Sequence, residues 1–156
     1  MTGVVQAWGQ ELRRVHRELR AQLSRARADL AAGRAPGAAA ASLTLHCAGF
    51  CDALTRHHGA EDRALFPPVL AAHPELAGDV ARLTEDHRLL AGLISDLGRV
   101  AGAGDPAAIA RHLDGIEAIM ESHFAFEERK LAGVLDAMTL DAEDPAEVLG
   151  VGEPAS

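Results

Sequence analysis

The chain has 156 residues, 48% of them hydrophobic, with a formal net charge of −8 and 2 cysteines. That length suits one domain with its own core, and no run approaches the roughly eighteen uninterrupted apolar residues of a membrane span. The negative charge, without a basic patch interleaved with aromatics, argues against nucleic acid as a partner.

The opening stretch, Met1 to Arg14, places Gln10 and Glu11 where a secretory signal carries its apolar region, so the protein is expected in the cytoplasm. From Val4 to about Ala32, Val5, Leu12, Leu19, Leu23 and Leu30 recur at helical intervals, with His16 on the flank of their stripe. Arg13, Arg14, Arg17, Arg20, Arg25, Arg27 and Arg34 cluster in this region; a docking face is one reading, and a solvated face paired with Glu11, Glu18 and Asp29 is the expected one. Gly33 to Gly37 breaks the helix.

A second helix is expected from about Ala38 to Phe66, stopped by Pro67-Pro68, with Leu43, Cys47, Phe50, Leu54 and Leu65 inward. At about 100° per residue Glu61 falls near the centre of that stripe, His57 on one flank and His58 on the other. Cys47 and Cys51, four apart on one helix, suit neither a disulfide nor a common zinc pattern and read as reduced, buried residues.

Pro74-Glu75 opens the third helix, where Leu76, Val80, Leu83, Leu90, Ile94 and Leu97 form the stripe and His87 sits on it. Gly98 to Gly104 closes it, and Asp105-Pro106 caps and starts the fourth, expected to reach Met138. Its stripe is Ile109, Leu113, Ile116, Met120, Leu131 and Val134, with Glu127 central and His123 on the flank. Residues 139–156 read as an acidic C-terminal tail with at most an extra turn. Residues 1–138 are therefore expected to form an all-α, up-down-up-down four-helix bundle.

The two halves repeat. Helices one and two carry His16, then His57-x-x-x-Glu61; helices three and four carry His87, then His123-x-x-x-Glu127. Residues four apart share a helix face, so each pair presents an imidazole and a carboxylate to one point. Either pair alone is a weak signal. Together on a folded-back repeat they put six polar groups at one level of an apolar core, which costs several kcal/mol per ionised group unless something binds them. A metal does so, and imidazole with carboxylate and no thiolate suits iron or manganese, zinc less distinctively. Two bridging glutamates with His16 and His57 on one ion, His87 and His123 on the other, would leave positions for an oxo or hydroxo bridge and a small exogenous ligand. Tyr is absent, so no tyrosyl radical can form there.

This order of residues resembles the hemerythrin-like, or HHE cation-binding, domain family. The resemblance runs from about Val4 to Met138 and includes His57-His58-x-x-Glu61-Asp62 before Leu65-Phe66-Pro67, Asp86-His87, and His123-Phe124-x-x-Glu127. It implies terminal iron ligands at His16, His57, His87 and His123 and bridging carboxylates at Glu61 and Glu127. Oxygen-carrying members have a fifth histidine one turn after the third-helix ligand, where this chain has Ala91, and an Asp as second bridge where it has Glu. A more open site follows, with His58 either as the missing ligand or neighbour, or as a partly buried histidine bonded to backbone or Asp62. His46 and His112 are expected to be ordinary partly exposed histidines, with an entry path as the other reading, and His73 a loop or cap residue.

The leading expectation is a cytosolic non-haem diiron protein that binds dioxygen, peroxide or nitric oxide for sensing, storage or detoxification. The alternatives are a diiron enzyme that dismutates peroxide or reduces nitric oxide, and an iron-responsive helical interaction module. The redox partner is not legible.

Overall fold

A computed structural model of the chain describes residues 7–32, 38–138 and 145–150, the side chains of 38–48, 145 and 146 excepted. Helix α1 spans Trp8–Ala31, α2 Ala38–Ala60, α3 Phe66–Ala72, α4 Ala77–Ala103, α5 Pro106–Ala137 and α6 Pro145–Leu149. Among the described residues there is no strand. No helix there is long and apolar enough to cross a membrane.

The apolar periodicity predicts this packing. Leu12, Leu19 and Leu23 of α1, Phe50 and Leu54 of α2, Leu83, Leu90 and Leu97 of α4, and Leu113, Ile116, Met120 and Leu131 of α5 are all buried. Each such side chain contributes roughly 1.5–3 kcal/mol when removed from water. Helix α1 packs against α2 and α5, and α4 packs against α5 and α2, so the four long helices surround one core. Leu30, Leu76 and Ile94 lie at its edge, partly buried.

The basic side of α1 is tied to neighbouring acids. Arg13 and Arg20 reach Glu128, Arg20 also meets Glu121, and Arg27 meets Asp114 and Glu117, all across the α1–α5 seam. Arg14 and Arg25 pair with Glu11 and Glu18 on their own helix. Exposed pairs of this kind are worth about 0–1 kcal/mol each, so they bias the register of α1 on α5 more than they stabilise it. At the end of the seam Gly9 donates its N–H to Asp136 at 2.8 Å, and a Cβ on Gly9 would lie 2.2 Å from the Ala132 carbonyl oxygen.

The expected stop at Pro67-Pro68 is corrected. The chain instead widens into a π-helical turn over Glu61–Leu65, closed by the Phe66 N–H on the Glu61 carbonyl, and then continues as α3 with both prolines in its first turn. Two facts of chain chemistry allow this. First-turn residues need no intrahelical N–H partner, and the wider turn relieves the clash of a pyrrolidine ring with the carbonyl four residues back. His73 ends α3, and Pro74–Leu76 forms a short 3₁₀ turn into α4. Helix α4 runs through Gly98 and Gly102 and stops at Gly104, and Asp105 caps α5 by accepting from the Ala107 N–H at 3.1 Å.

Some expectations lie outside the described residues: Val5, Arg34 and the Gly33–Gly37 break, the side chains of Leu43, His46 and Cys47, and most of the acidic tail. The described part of that tail, α6 with Gly150, packs on α2 and the π turn, burying Val148 and Leu149.

Candidate metal centre

Seven polar side chains meet inside the apolar core: His16 from α1, His57 and His58 from α2, Glu61 from the π turn, His87 from α4, and His123 and Glu127 from α5. All are buried; Glu61 and Glu127 have no exposed surface, and His58 and His87 retain 5% each. The spacing along each helix explains the convergence. His57 and Glu61, like His123 and Glu127, are four apart and share a face, and the π turn begins at Glu61, where an extra residue per turn re-aims the chain.

The donors sort into two groups. One holds His58, Glu61, His87 and His123, the other His16, His57, Glu61 and Glu127. Within each, one ligand atom per residue lies within 4.8 Å of every other, and Glu61 belongs to both. His16 with His57 and His87 with His123 fall together as the repeat suggests. His58 joins the second pair, its ring stacked on His87 at 3.9 Å. Glu127 sits with His16 and His57, and its Oε2 lies 4.0 Å from His123 Nε2.

Behind these groups stands a layer of acceptors. His87 Nδ1 donates to Asp62 at 2.9 Å, His123 Nδ1 to Asp86 at 3.0 Å, His16 Nδ1 to Glu128 at 3.1 Å, and His57 Nδ1 to the Leu149 carbonyl at 2.6 Å. With Nδ1 donating, the Nε2 lone pair of a neutral ring turns inward, the arrangement that orients metal-binding imidazoles. Phe124 supports the ring of His16 from one side, stacked at 3.8 Å.

The inward atoms are mostly unpaired. Nε2 of His57, His58, His87 and His123, both oxygens of Glu61 and Oε2 of Glu127 have no hydrogen-bond partner. Glu61 lies 3.2 Å from His87 Nε2 and 3.5 Å from His57 Nε2, close enough in distance but without the alignment of a hydrogen bond. An unpaired buried polar group costs roughly 1–3 kcal/mol, so a layer this dense demands an occupant. Convergent donors that miss one another and aim at shared points fit a cation, and imidazole with carboxylate and no thiolate fits iron or manganese.

The ionisation states of the metal-free core follow from burial. Burial, then the charge of His16, pushes His57 down to about 3. Burial, then neighbouring histidines, also lowers His58 and His87. His16 goes the other way: burial opposes its charge, but Glu127 at 2.9 Å and Glu128 outweigh it and raise its pKa. Burial and the charge of Glu127 raise Glu61 well above the carboxylate range, whereas Glu127, although burial opposes its charge, is lowered by His16.

These directions fix the response to acid. Between pH 6.5 and 4.5 the unfolded chain takes up protons on His57, His58 and His87 that the folded chain refuses, while Glu61 keeps in the fold a proton that the unfolded chain has released. Three groups outweigh one, so unfolding consumes protons and stability falls as pH falls. His16 acts separately, losing its contribution as pH rises above 6.5 through its raised pKa. Metal-free protein is therefore expected to melt at a lower temperature at pH 5 than at pH 6.5; an equal or higher value would contradict neutral core imidazoles. Bound metal should likewise be released by acid, since its ligands must be deprotonated.

The remaining candidates lie elsewhere. His112 is partly buried, His73 bonds Glu75 at 3.1 Å beside the 3₁₀ turn, and Cys51 is half-buried and packed against the core edge. Sequence reasoning missed the acceptor roles of Asp62, Asp86, Glu128 and Leu149. Asp62, Asp86 and Glu128 each adjoin a core ligand candidate in sequence, a signal that was available; the Leu149 carbonyl left none.

A family model, the hemerythrin HHE cation binding domain, matches residues 10–135. No curated protein and no solved structure matches the chain at a significant level. The matched stretch runs from α1 through α5 and contains all seven core donors. The chain thus belongs to the hemerythrin HHE cation-binding domain family.

Proposed function

We propose that this chain is an up-down-up-down, hemerythrin-like bundle working in the cytoplasm as a non-haem diiron protein, with a small oxidant as its ligand for sensing, storage or detoxification. The observation that carries the reading is the pair of four-donor groups sharing Glu61. His58, His87 and His123 would hold one iron, His16, His57 and Glu127 the other, with Glu61 shared between them. Bound iron would supply redox chemistry and an open position for dioxygen, peroxide or nitric oxide.

The chain's own part is to hold, orient and exclude water. Asp62, Asp86, Glu128 and the Leu149 carbonyl fix the rings, and Phe124, stacked on His16, and Phe66, stacked on His87, cover them with apolar surface. A cavity of about 260 Å³ lies between α2 and α4 beside the centre; Thr55, His58, Gly59, Asp62, His87 and Ala91 are among its lining residues. Ala91 contributes only a methyl group where a larger side chain would fill the space.

That cavity favours a second reading, a diiron enzyme that dismutates peroxide or reduces nitric oxide, because it opens on the histidines themselves. The interaction-module reading drew on the basic first helix and the acidic tail, and five of the arginines of α1 are engaged with acids. Iron-loaded protein is expected to hold two irons per chain, absorb strongly in the near ultraviolet and bind azide. Ala91→Trp should slow azide association by about one decade, the scale over which on-rates of related variants differ, with both irons retained. An unchanged rate would remove the cavity from the account, and fewer than two irons in the parent would remove the diiron centre. Steady peroxide or nitric oxide turnover lost in His87→Ala selects the enzyme; stoichiometric binding alone selects the carrier or sensor.

A further inference from the structure

We infer that the C-terminal segment Val148-Leu149-Gly150 is a latch that positions His57, and through it one of the two donor groups, although it lies outside the stretch that defines the family. The inference rests on the metal-centre reading above. The family match ends at residue 135, yet α6 returns to pack on α2 and the π turn, with Val148 2% exposed and Leu149 fully buried. The Leu149 carbonyl then accepts from His57 Nδ1 at 2.6 Å.

The chemistry of that contact differs from its three counterparts. His16, His87 and His123 rest on carboxylates of α5, the π turn and α4, all within the matched region. His57 rests on a backbone carbonyl, which can only accept. Nδ1 therefore carries the proton, and Nε2 presents its lone pair to the group with His16, Glu61 and Glu127. Gly150 makes the approach possible. Its φ is +65°, and a Cβ there would lie 2.2 Å from the Arg56 carbonyl oxygen and 2.8 Å from His57 Cα. Any side chain pushes the segment off the very residue it supports.

His57 belongs to one donor group and not to the other, so the latch acts on the two ions unequally. The test uses the full chain loaded anaerobically with ferrous iron, then exposed to a chelator. In Gly150→Val, one of the two irons should leave about 10- to 100-fold faster, the range found when a partner behind a metal-binding histidine is lost; the other iron should leave at the parent rate. Glu147→Ala, an exposed change in the same helix, should leave both rates unchanged. If Gly150→Val does not fold, Val148→Ser loosens the same seat more gently and should give the same split.

A merely structural segment would lower the metal-free melting temperature and leave both release rates equal to the parent's, and that result overturns the inference. Two irons released together and faster in the variant would overturn it as well, because the latch reaches a single group. A parent chain that retains no iron rejects the metal-centre reading instead, and the two failures are thereby distinguished.

Discussion

Glu61→Ala is expected to leave a folded chain that no longer holds a pair of metal ions. Glu61 is the one side chain common to both donor groups, and it has no exposed surface. Removing it takes a carboxylate from each group, leaving three imidazoles in one and two imidazoles with Glu127 in the other. Loss of a partner behind a metal ligand already costs roughly 10–100-fold in affinity, so loss of a shared ligand should cost more, and the metal content should fall from two per chain to one or none. The fold should survive. Truncating an apolar side chain of that size costs about 2–5 kcal/mol, but here the lost group is a buried carboxyl without a hydrogen-bond partner, whose removal returns roughly 1–3 kcal/mol. Elemental analysis beside a thermal melt of the metal-free variant checks both halves; two tightly held metals in Glu61→Ala would refute the shared role.

His58→Ala should produce a selective loss. His58 supplies one of three imidazoles to the group with His87 and His123 and none to the other group. Its ring stacks on His87 at 3.9 Å, so its removal also frees the neighbouring ligand to tilt. The variant is expected to retain about one metal per chain, to bind the second at least tenfold more weakly, and to lose azide binding if the open position belongs to that ion. His112→Ala, which touches neither group, is the control and should keep both metals. Full retention in His58→Ala would return this residue to the role of an ordinary core histidine.

The legible part of the molecule was whatever repeats along a helix. Leu12, Leu19 and Leu23, or Leu113, Ile116 and Met120, declare a buried face by spacing alone, and the same rotation put Glu61 and Glu127 at stripe centres where both prove fully buried. His16 and His87 were placed by the folded-back repeat. His58 was visible as a candidate but undecidable, since a residue on the flank of a stripe is turned inward or outward by a few tens of degrees that sequence does not fix.

The π turn was not legible. Pro67-Pro68 signals a helix end by local rule, and only the tertiary packing of Leu65, Phe66 and Val69 makes a wider turn followed by α3 the better solution. The Leu149 contact was invisible for another reason: a backbone carbonyl is present at every residue, so its use leaves no mark in composition. Gly150 was the one local trace, and among the chain's 15 glycines it carried no distinguishing pattern. The expected pairing of the α1 arginines with acids of their own helix is seen at Arg14 and Arg25, whereas the acids that answer Arg13, Arg20 and Arg27 lie on α5, distant in sequence.

The most direct test of the central claim is anomalous diffraction at the iron absorption edge from crystals of iron-loaded protein. Two peaks are expected about 3.5–4 Å apart, the usual separation in two-metal sites. One should lie among His58, His87, His123 and Glu61, the other among His16, His57, Glu61 and Glu127. A single peak, or an iron-free core in which Glu61 and the imidazoles are hydrogen-bonded to ordered water, would contradict it.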